Sequence, residues 1–187
     1  GFIQTRQAEC GLTGGGDIPG GPYLRKAPYQ WGWDWGPKLP PMGIWKDIRL
    51  EGYASAKLED IHLRQIHENG KVFIRAELAV RTWQQADVQA GMRITSPGEI
   101  TWRVKNDSRL PFPAEASSII RLEVEISDPQ LWWPHGYGSQ ALYEVEISLL
   151  SGKTLLDERR YRIGLRTVEL RQQPDEWGES FTFVVNG

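Results

Sequence analysis

The central part of the chain alternates between apolar and polar side chains with a period of two. The alternation is strict over residues 72–80, 88–94, 120–126 and 143–149. It is shorter over residues 58–66 and 100–104 and in the run that ends near residue 163. A period of two places every second side chain on the same face of a strand, so each run predicts a strand with one buried and one solvated face.

Turn signals separate these runs. Asn69-Gly70 is a two-residue hairpin signal because both residue types tolerate positive φ angles, and Pro97-Gly98 and Ser151-Gly152 mark further turns. No segment has a clear helical period. About seven short antiparallel strands therefore predict an all-β fold, specifically an immunoglobulin-like antiparallel β-sandwich without the disulfide of antibody domains.

The pattern also predicts three parts of the chain. Residues 53–172 hold the sandwich. Residues 1–52 contain a glycine-rich loop at 11–22 and one predicted strand at 44–51, which is too little to bury a core of its own. Residues 173–187 begin as a linker and end in an apolar strand whose sheet is not completed within the sequence.

Composition and charge exclude several classes of partner. The 187 residues carry a formal net charge of -2, so we expect no nucleic-acid partner, and they contain no apolar run long enough for a membrane span. Cys10 is the single cysteine, and the three histidines lack zinc-ligand spacing. We therefore expect no metal site and no cofactor.

Tryptophan is unusually concentrated near the N-terminus. Of nine tryptophans in the chain, three alternate with Gly32, Asp34 and Gly36. If this segment is extended, the indoles of Trp31, Trp33 and Trp35 share one face, and Asp34 lies beside them. An indole stacks on the C–H face of a sugar ring, and a carboxylate accepts hydrogen bonds from its hydroxyls. The segment is thus a candidate sugar-contacting site.

Two other interpretations of the aromatic segments stay open. The indoles at 31–35 could be packing groups, with Asp34 a turn residue that accepts nearby N–H groups. The segment at residues 128–138, which contains Trp132 and Trp133, is typical either of a packed loop or of a second sugar contact. Residues 159–162 include three arginines, which predict a solvated strand edge.

The sequence contains no recognisable catalytic constellation. Retaining glycoside hydrolysis needs two carboxyl groups about 5–5.5 Å apart, and no pair of acids in the sequence stands in a context that suggests them. A nucleophile elbow, a phosphate-binding glycine loop before a helix and a metal cluster are also missing from the sequence. We expect no catalytic residue in these 187 residues.

Four segments carry a resemblance to a known family. Residues 25–37 contain Gly-Trp-Asp-Trp-Gly-Pro, and residues 43–51 begin with Gly-Ile-Trp. Residues 129–143 contain Leu-Trp-Trp-Pro and Gly-Tyr-Gly, and residues 163–170 follow. In this order they resemble β-mannosidases of glycoside hydrolase family 2. Residues 181–187 are similar to that family's lead-in to its catalytic barrel.

The resemblance implies an architecture and a role. Residues 1–52 would end a sugar-binding jelly-roll domain, 53–172 would be the immunoglobulin-like domain, and 173–187 would start the catalytic barrel on which these domains pack. The parent would release terminal β-linked mannose with retention, using glutamates downstream of Gly187. Asp34, Trp33 and Trp35 would contact the β-mannoside or manno-oligosaccharide substrate. The alternatives are a stand-alone carbohydrate-binding module, another family 2 glycosidase such as a β-galactosidase or β-glucuronidase, and a structural immunoglobulin-like domain.

Overall fold

The computed structural model describes residues 1–11, 23–32, 35–106 and 110–187. The chain divides into two compact units, Gly1–Glu51 and Gly52–Gly187. Most of the glycine-rich loop predicted at 11–22 lies outside the described residues.

The first unit contains little regular structure. A helix, α1, spans Phe2–Cys10, and a 3₁₀ helix spans Pro28–Trp31. The sequence pattern did not indicate α1 because its residues show no apolar stripe, and none of them is buried. The strand predicted at 44–51 is wrong: these residues are irregular and exposed. A strand needs a neighbour for its backbone groups, and the described part of this unit contains no other strand.

In the second unit, the first sheet has three long antiparallel strands. They are β1 (Ala56–Glu68), β2 (Lys71–Thr82) and β6 (Ala116–Ser127), in the order β1-β2-β6. The hairpin between β1 and β2 turns at Asn69 and Gly70, which have φ angles of 52° and 75°. These positive angles are the reason that Asn-Gly is suited to the turn.

The second sheet has five strands. They are β3 (Ala86–Thr95), β4 (Thr101–Lys105), β5 (Leu110–Phe112), β7 (Tyr143–Ser151) and β8 (Thr154–Ile163). Four of them follow the order β4-β3-β7-β8, and β5 pairs with β3. All pairings are antiparallel, so the predicted all-β antiparallel sandwich is confirmed.

The core lies between the two sheets and consists of the alternating apolar positions. Four strands supply most of it: residues 72, 74, 76, 78 and 80 of β2, 88, 90, 92 and 94 of β3, 120, 122, 124 and 126 of β6, and 143, 145, 147 and 149 of β7. Each fully buried aliphatic side chain contributes about 1.5–3 kcal/mol relative to exposure. This burial fixes the register, because a slip of one residue would turn every apolar side chain outwards.

A buried carboxylate joins the free edges of the two sheets. One oxygen of Asp157 on β8 accepts the backbone N–H of Leu58 on β1 at 2.9 Å. Its other oxygen accepts the N–H of Glu158 at 2.8 Å and the guanidinium of Arg159 at 2.6 Å. The registers of β1 and of the β7–β8 pair each shift close to these residues.

Residues 168–185 form a ribbon rather than a linker with an unpaired strand. Strand β9 (Val168–Arg171) pairs with β12 (Thr182–Val185), and the short strands β10 (Pro174–Asp175) and β11 (Gly178–Glu179) pair at its tip. We call residues 168–185 the C-terminal ribbon. None of the described helices is long and apolar enough to cross a membrane.

Replacing Asp157 by alanine should destabilise the sandwich strongly. The change removes three hydrogen bonds that the Asp157 carboxylate accepts. The buried Leu58 N–H and the half-buried Arg159 guanidinium then lose this acceptor. Urea unfolding should show a loss of about 3 kcal/mol in the free energy of unfolding. Asp60→Ala, at an exposed position of β1, is the matched control and should change stability by less than about 0.5 kcal/mol. Equal effects for the two variants would contradict the role given to Asp157.

Candidate functional site

Two residues of the candidate sugar-contacting site, Trp33 and Asp34, lie outside the described residues. The third, Trp35, presents 79% of its surface to solvent. Trp31 ends the 3₁₀ helix and Gly32 follows it with a φ of 89°, so the extended segment expected from Trp31 onwards is not formed at its first two residues. The indole N–H of Trp31 is buried and has no acceptor among the described residues.

The segment around these tryptophans requires glycine at position 32. A Cβ on Gly32 would lie 2.8 Å from Cγ of Lys38 and 3.0 Å from the carbonyl oxygen of Gly36. Both the positive φ and this close approach exclude larger residues. Nearby, the ammonium group of Lys26 donates to the carbonyl of Pro41 and lies 3.4 Å from Oε1 of Gln30.

In the second unit, polar and aromatic side chains gather where the chain leaves β8. They come from β1, the loop before β7, the segment after β8 and the residue after β12. We call this group the end cluster; it consists of Gln65, Trp132, Gly164, Arg166 and Asn186.

Gln65 joins the two sheets at this end of the sandwich. It occupies an inward-facing position of β1, directly opposite Ile74 of β2. Its amide nitrogen donates to the carbonyl of Gly164 at 3.0 Å, and its amide oxygen accepts the N–H of Arg166 at 3.1 Å. The side-chain amide thus binds the segment after β8 as a neighbouring strand would.

Trp132 lies against the same segment. Its backbone N–H donates to the carbonyl of Leu165 at 2.8 Å, and its indole packs so closely on Gly164 that a Cβ there would lie 2.6 Å from Cγ of Trp132. The guanidinium of Arg166 lies over the indole ring, 4.7 Å from the ring centroid. Such a cation–π contact adds about 0.5–1 kcal/mol at an exposed site.

Asn186 attaches the end of the C-terminal ribbon to this cluster. Its side-chain nitrogen donates to the carbonyl of Trp132 at 3.0 Å, and its side-chain oxygen accepts the N–H of Thr167 at 3.1 Å. Its φ of 60° is a left-handed conformation that asparagine tolerates better than most residues. The point at which the chain leaves the ribbon is therefore fixed to the sandwich.

The loop that carries Trp132 and Trp133 is a packed one. Trp133 donates its backbone N–H to the carbonyl of Ser139 at 2.9 Å, and its side chain occupies the space where a Cβ of Gly138 would stand, at 2.8 Å. Trp132 pairs with Gln140 in an isolated bridge. Both indoles are half-buried within the unit, so packing accounts for them without a sugar.

The acidic groups whose pKa values shift are unsuited to general acid catalysis. The pKa of Glu77 is lowered because Arg121 donates a hydrogen bond to it, and the pKa of Glu125 is lowered because Lys71 does the same. A general acid at neutral pH requires a raised carboxyl pKa. Over the described residues, no group of three or more His, Cys, Asp or Glu side chains could hold a metal ion.

Sequence reasoning did not identify the end cluster. The sequence feature that could have indicated it is a break in the apolar–polar alternation of β1. Gln65 and His67 follow Ile61 and Leu63 at positions that face inwards. A polar side chain at the end of an apolar face is a common way to bind backbone groups of a crossing segment. The partners, Gly164 and Asn186, carried no such signal.

Comparison with known proteins identifies two family models. The model described as glycosyl hydrolases family 2 matches residues 56–166, and the one described as glycosyl hydrolase 2 galactose-binding domain-like matches residues 4–46. Beta-mannosidase B of Emericella nidulans is 36% identical over 168 residues, and that of Aspergillus niger is 38% identical over 169. Each match covers 88% of this chain, which spans 19% of the length of these curated relatives.

Solved structures give a consistent picture of the fold. The crystal structure of the beta-D-mannosidase from Dictyoglomus thermophilum is 33% identical, with a TM-score of 0.84 over 99% of this chain and 23% of that one. A putative beta-galactosidase from Bacteroides fragilis is 16% identical, with a TM-score of 0.58 over 72% of this chain and 20% of that one. The second likeness concerns the fold alone.

Gly164→Ala should disturb the end cluster. The added Cβ would meet the indole of Trp132 at 2.6 Å, so one of the two groups must move. Overpacking of this kind costs about 1–3 kcal/mol in the free energy of unfolding, and we expect the tryptophan emission to change with it. In the control, Gly98→Ala, the nearest atom is 3.9 Å away and the effect should stay below about 0.5 kcal/mol. An unchanged stability of Gly164→Ala would contradict the packing described.

His67 should make the sandwich less stable in mild acid. Burial lowers the pKa of its imidazole. The unfolded chain then binds a proton more readily than the folded one, so the free energy of unfolding falls as the pH drops through about 6.5. The melting temperature should fall less between about pH 7.5 and 5.5 in His67→Gln than in the wild type. His62→Gln, at an exposed position of the same strand, should keep the wild-type fall; an unchanged fall in His67→Gln would exclude this role.

Proposed function

Because the chain belongs to family 2 of the glycosyl hydrolases, we propose that it contributes a bracing sandwich and part of the substrate pocket to an exo-acting, retaining β-mannosidase. The observation that carries the proposal is the identity of 36% over 88% of the chain to a relative named beta-mannosidase B. In the proposed enzyme, hydrolysis of terminal β-linked mannose takes place in a catalytic barrel downstream of Gly187.

The bracing role is supported by the end cluster. Gln65 ties β1 to the segment that follows β8, and Asn186 ties the end of the ribbon to Trp132. A domain held in this way has a defined exit direction for its chain. We infer that the sandwich positions the barrel, and that the barrel packs on it within the same chain.

The substrate contact is assigned to the tryptophan segment. We propose that Asp34 accepts hydrogen bonds from hydroxyl groups of the terminal mannose and that Trp33 and Trp35 stack on or border the ring. The large exposed indole face of Trp35 is compatible with this role. The pocket would be completed by the barrel, where the two catalytic glutamates would lie.

A mannoside is favoured over the substrates of other family 2 enzymes. The relatives named β-mannosidase are 33–38% identical to this chain. The putative beta-galactosidase and a beta-glucuronidase of family 2 are 16% and 11% identical. At these sequence identities, the two structures support the fold alone and give no evidence about which sugar this chain contacts.

The assignment of Asp34 is tested by mutation in the protein that continues past Gly187. We expect it to hydrolyse an aryl β-mannoside, and Asp34→Ala to lower kcat/KM about 100-fold, because charge-assisted hydrogen bonds to sugar hydroxyls contribute about 1.5–3 kcal/mol. Asp47→Ala, at an exposed position of the same unit, is the control and should retain activity. The 187-residue chain alone should give no turnover above buffer.

Two outcomes would contradict parts of the proposal. Full turnover by Asp34→Ala would contradict the proposed substrate contact, and turnover by the 187-residue chain would place the catalytic groups within that chain.

Calorimetry with manno-oligosaccharides tests the rival function, a stand-alone carbohydrate-binding module. Micromolar binding by the 187-residue chain would favour that module, because a pocket without its barrel should hold a sugar only weakly.

A further inference from the structure

Two of the three asparagines in the chain are followed by glycine, and the structure gives the two pairs different surroundings. Asn69-Gly70 forms the tip of the hairpin between β1 and β2, and Asn186-Gly187 follows the C-terminal ribbon. An Asn-Gly pair can react with itself in water, because glycine has no side chain to keep its backbone nitrogen away from the asparagine amide. The surroundings of each pair therefore decide whether the reaction takes place.

This reaction converts the asparagine side chain into a carboxylate. The backbone nitrogen of the glycine attacks Cγ of the asparagine, and the new C–N bond closes a five-membered imide. The side-chain nitrogen leaves as ammonia and takes up the proton that the glycine nitrogen loses. Water then opens the imide at either carbonyl group, which gives aspartate or isoaspartate. Water is thus the only co-reactant.

The tip of the β1–β2 hairpin leaves Asn69 open to this reaction. Asn69 and Gly70 are both exposed, and they alone separate the paired residues Glu68 and Lys71. Within the described parts of the chain, no hydrogen bond restrains the Asn69 side chain. A Cβ on Gly70 would stand in open space, so the backbone nitrogen there is accessible. Because a hairpin tip opens locally more readily than its strands, this nitrogen can reach Cγ of Asn69.

The end cluster, in contrast, holds the side chain of Asn186. The side-chain nitrogen donates to the carbonyl of Trp132 at 3.0 Å, and the side-chain oxygen accepts the N–H of Thr167 at 3.1 Å. The backbone N–H of Asn186 also donates to the carbonyl of Thr167, at 3.2 Å. Both side-chain hydrogen bonds must break before Cγ can turn towards the nitrogen of Gly187. The same dipeptide is therefore restrained at 186 and unrestrained at 69.

We propose that Asn69 is a site of spontaneous deamidation in the folded protein and that the end cluster protects Asn186 from the same reaction. This proposal is independent of the proposed function. Isoaspartate adds one atom to the main chain, and a two-residue loop sets the register of the strands that it joins. The hairpin tip is then the place where the sandwich first loses order as the protein ages.

Mass spectrometry of the aged protein tests the assignment. The 187-residue chain is incubated in mildly alkaline buffer and digested in mild acid, and the mass gain from replacing NH₂ by OH is followed at each asparagine. We expect Asn69 to react at least about 10-fold faster than Asn186, because two hydrogen bonds restrain only the latter side chain. Asn106, which precedes Asp107, is the internal control and should react more slowly than Asn69.

Two comparisons separate the effect of the fold from that of the sequence. In urea the hydrogen bonds of Asn186 are lost, so most of the difference between the two Asn-Gly pairs should vanish. Gly164→Ala, which forces the Trp132 indole or its own backbone to move, should speed the reaction at Asn186 and leave Asn69 unchanged. Gly98→Ala, where the nearest atom is 3.9 Å away, is the matched control and should change neither rate.

Three results would overturn the proposal: an unreacted Asn69, equal rates at Asn69 and Asn186 in the folded chain, or a difference that persists in urea. The consequence for the hairpin has its own test. Asn69→Gly tolerates the same positive φ and has no side-chain amide. Its melting temperature should stay constant through an incubation in which that of the wild type falls. Equal falls in the two proteins would show that the hairpin tip is not where ageing begins.

Discussion

The contact between the indole of Trp132 and the bare backbone of Gly164 is the constraint on which the end of the sandwich depends. The contact is too close for any side chain at position 164. It places the Trp132 carbonyl where Asn186 can bind it and the indole face where Arg166 can cover it. Gln65 secures the same segment from the opposite sheet. One steric fit thus sets the positions of a loop, a strand end and the ribbon.

Stability and connection are divided between different parts of the second unit. The core between the sheets is a regular set of aliphatic side chains, and their burial supplies the hydrophobic term. The free edges of the sheets meet at Asp157, whose carboxylate accepts the backbone N–H of Leu58. The hydrogen bonds of the end cluster give direction to the chain that leaves the domain.

The sequence predicted the parts of the fold that depend on local periodicity. The buried positions of β2, β3, β6 and β7 follow from their strict alternation, because a two-residue period has one physical solution in a half-buried sheet. The strand at 44–51 failed although its pattern was similar, since a strand also needs a neighbour. Helix α1 was not predicted because it lacks an apolar stripe. The apolar strand at the end of the chain was predicted, but its pairing with β9 was not, because the two strands are separated by a ten-residue connection.

The sugar-contacting site stays a prediction from residue types, whereas the end cluster could not be predicted from the sequence. An acid among indoles indicates a sugar contact by residue type alone, whereas Gln65, Gly164 and Asn186 act through contacts between residues far apart in sequence. The two kinds of residue are connected in the proposed enzyme. If one domain lends Asp34 to a pocket in another, a displacement of about 1 Å can cost about 100-fold in rate. In that enzyme the domain between them would have to hold its exit in place, and we propose that the hydrogen bonds of the end cluster do so.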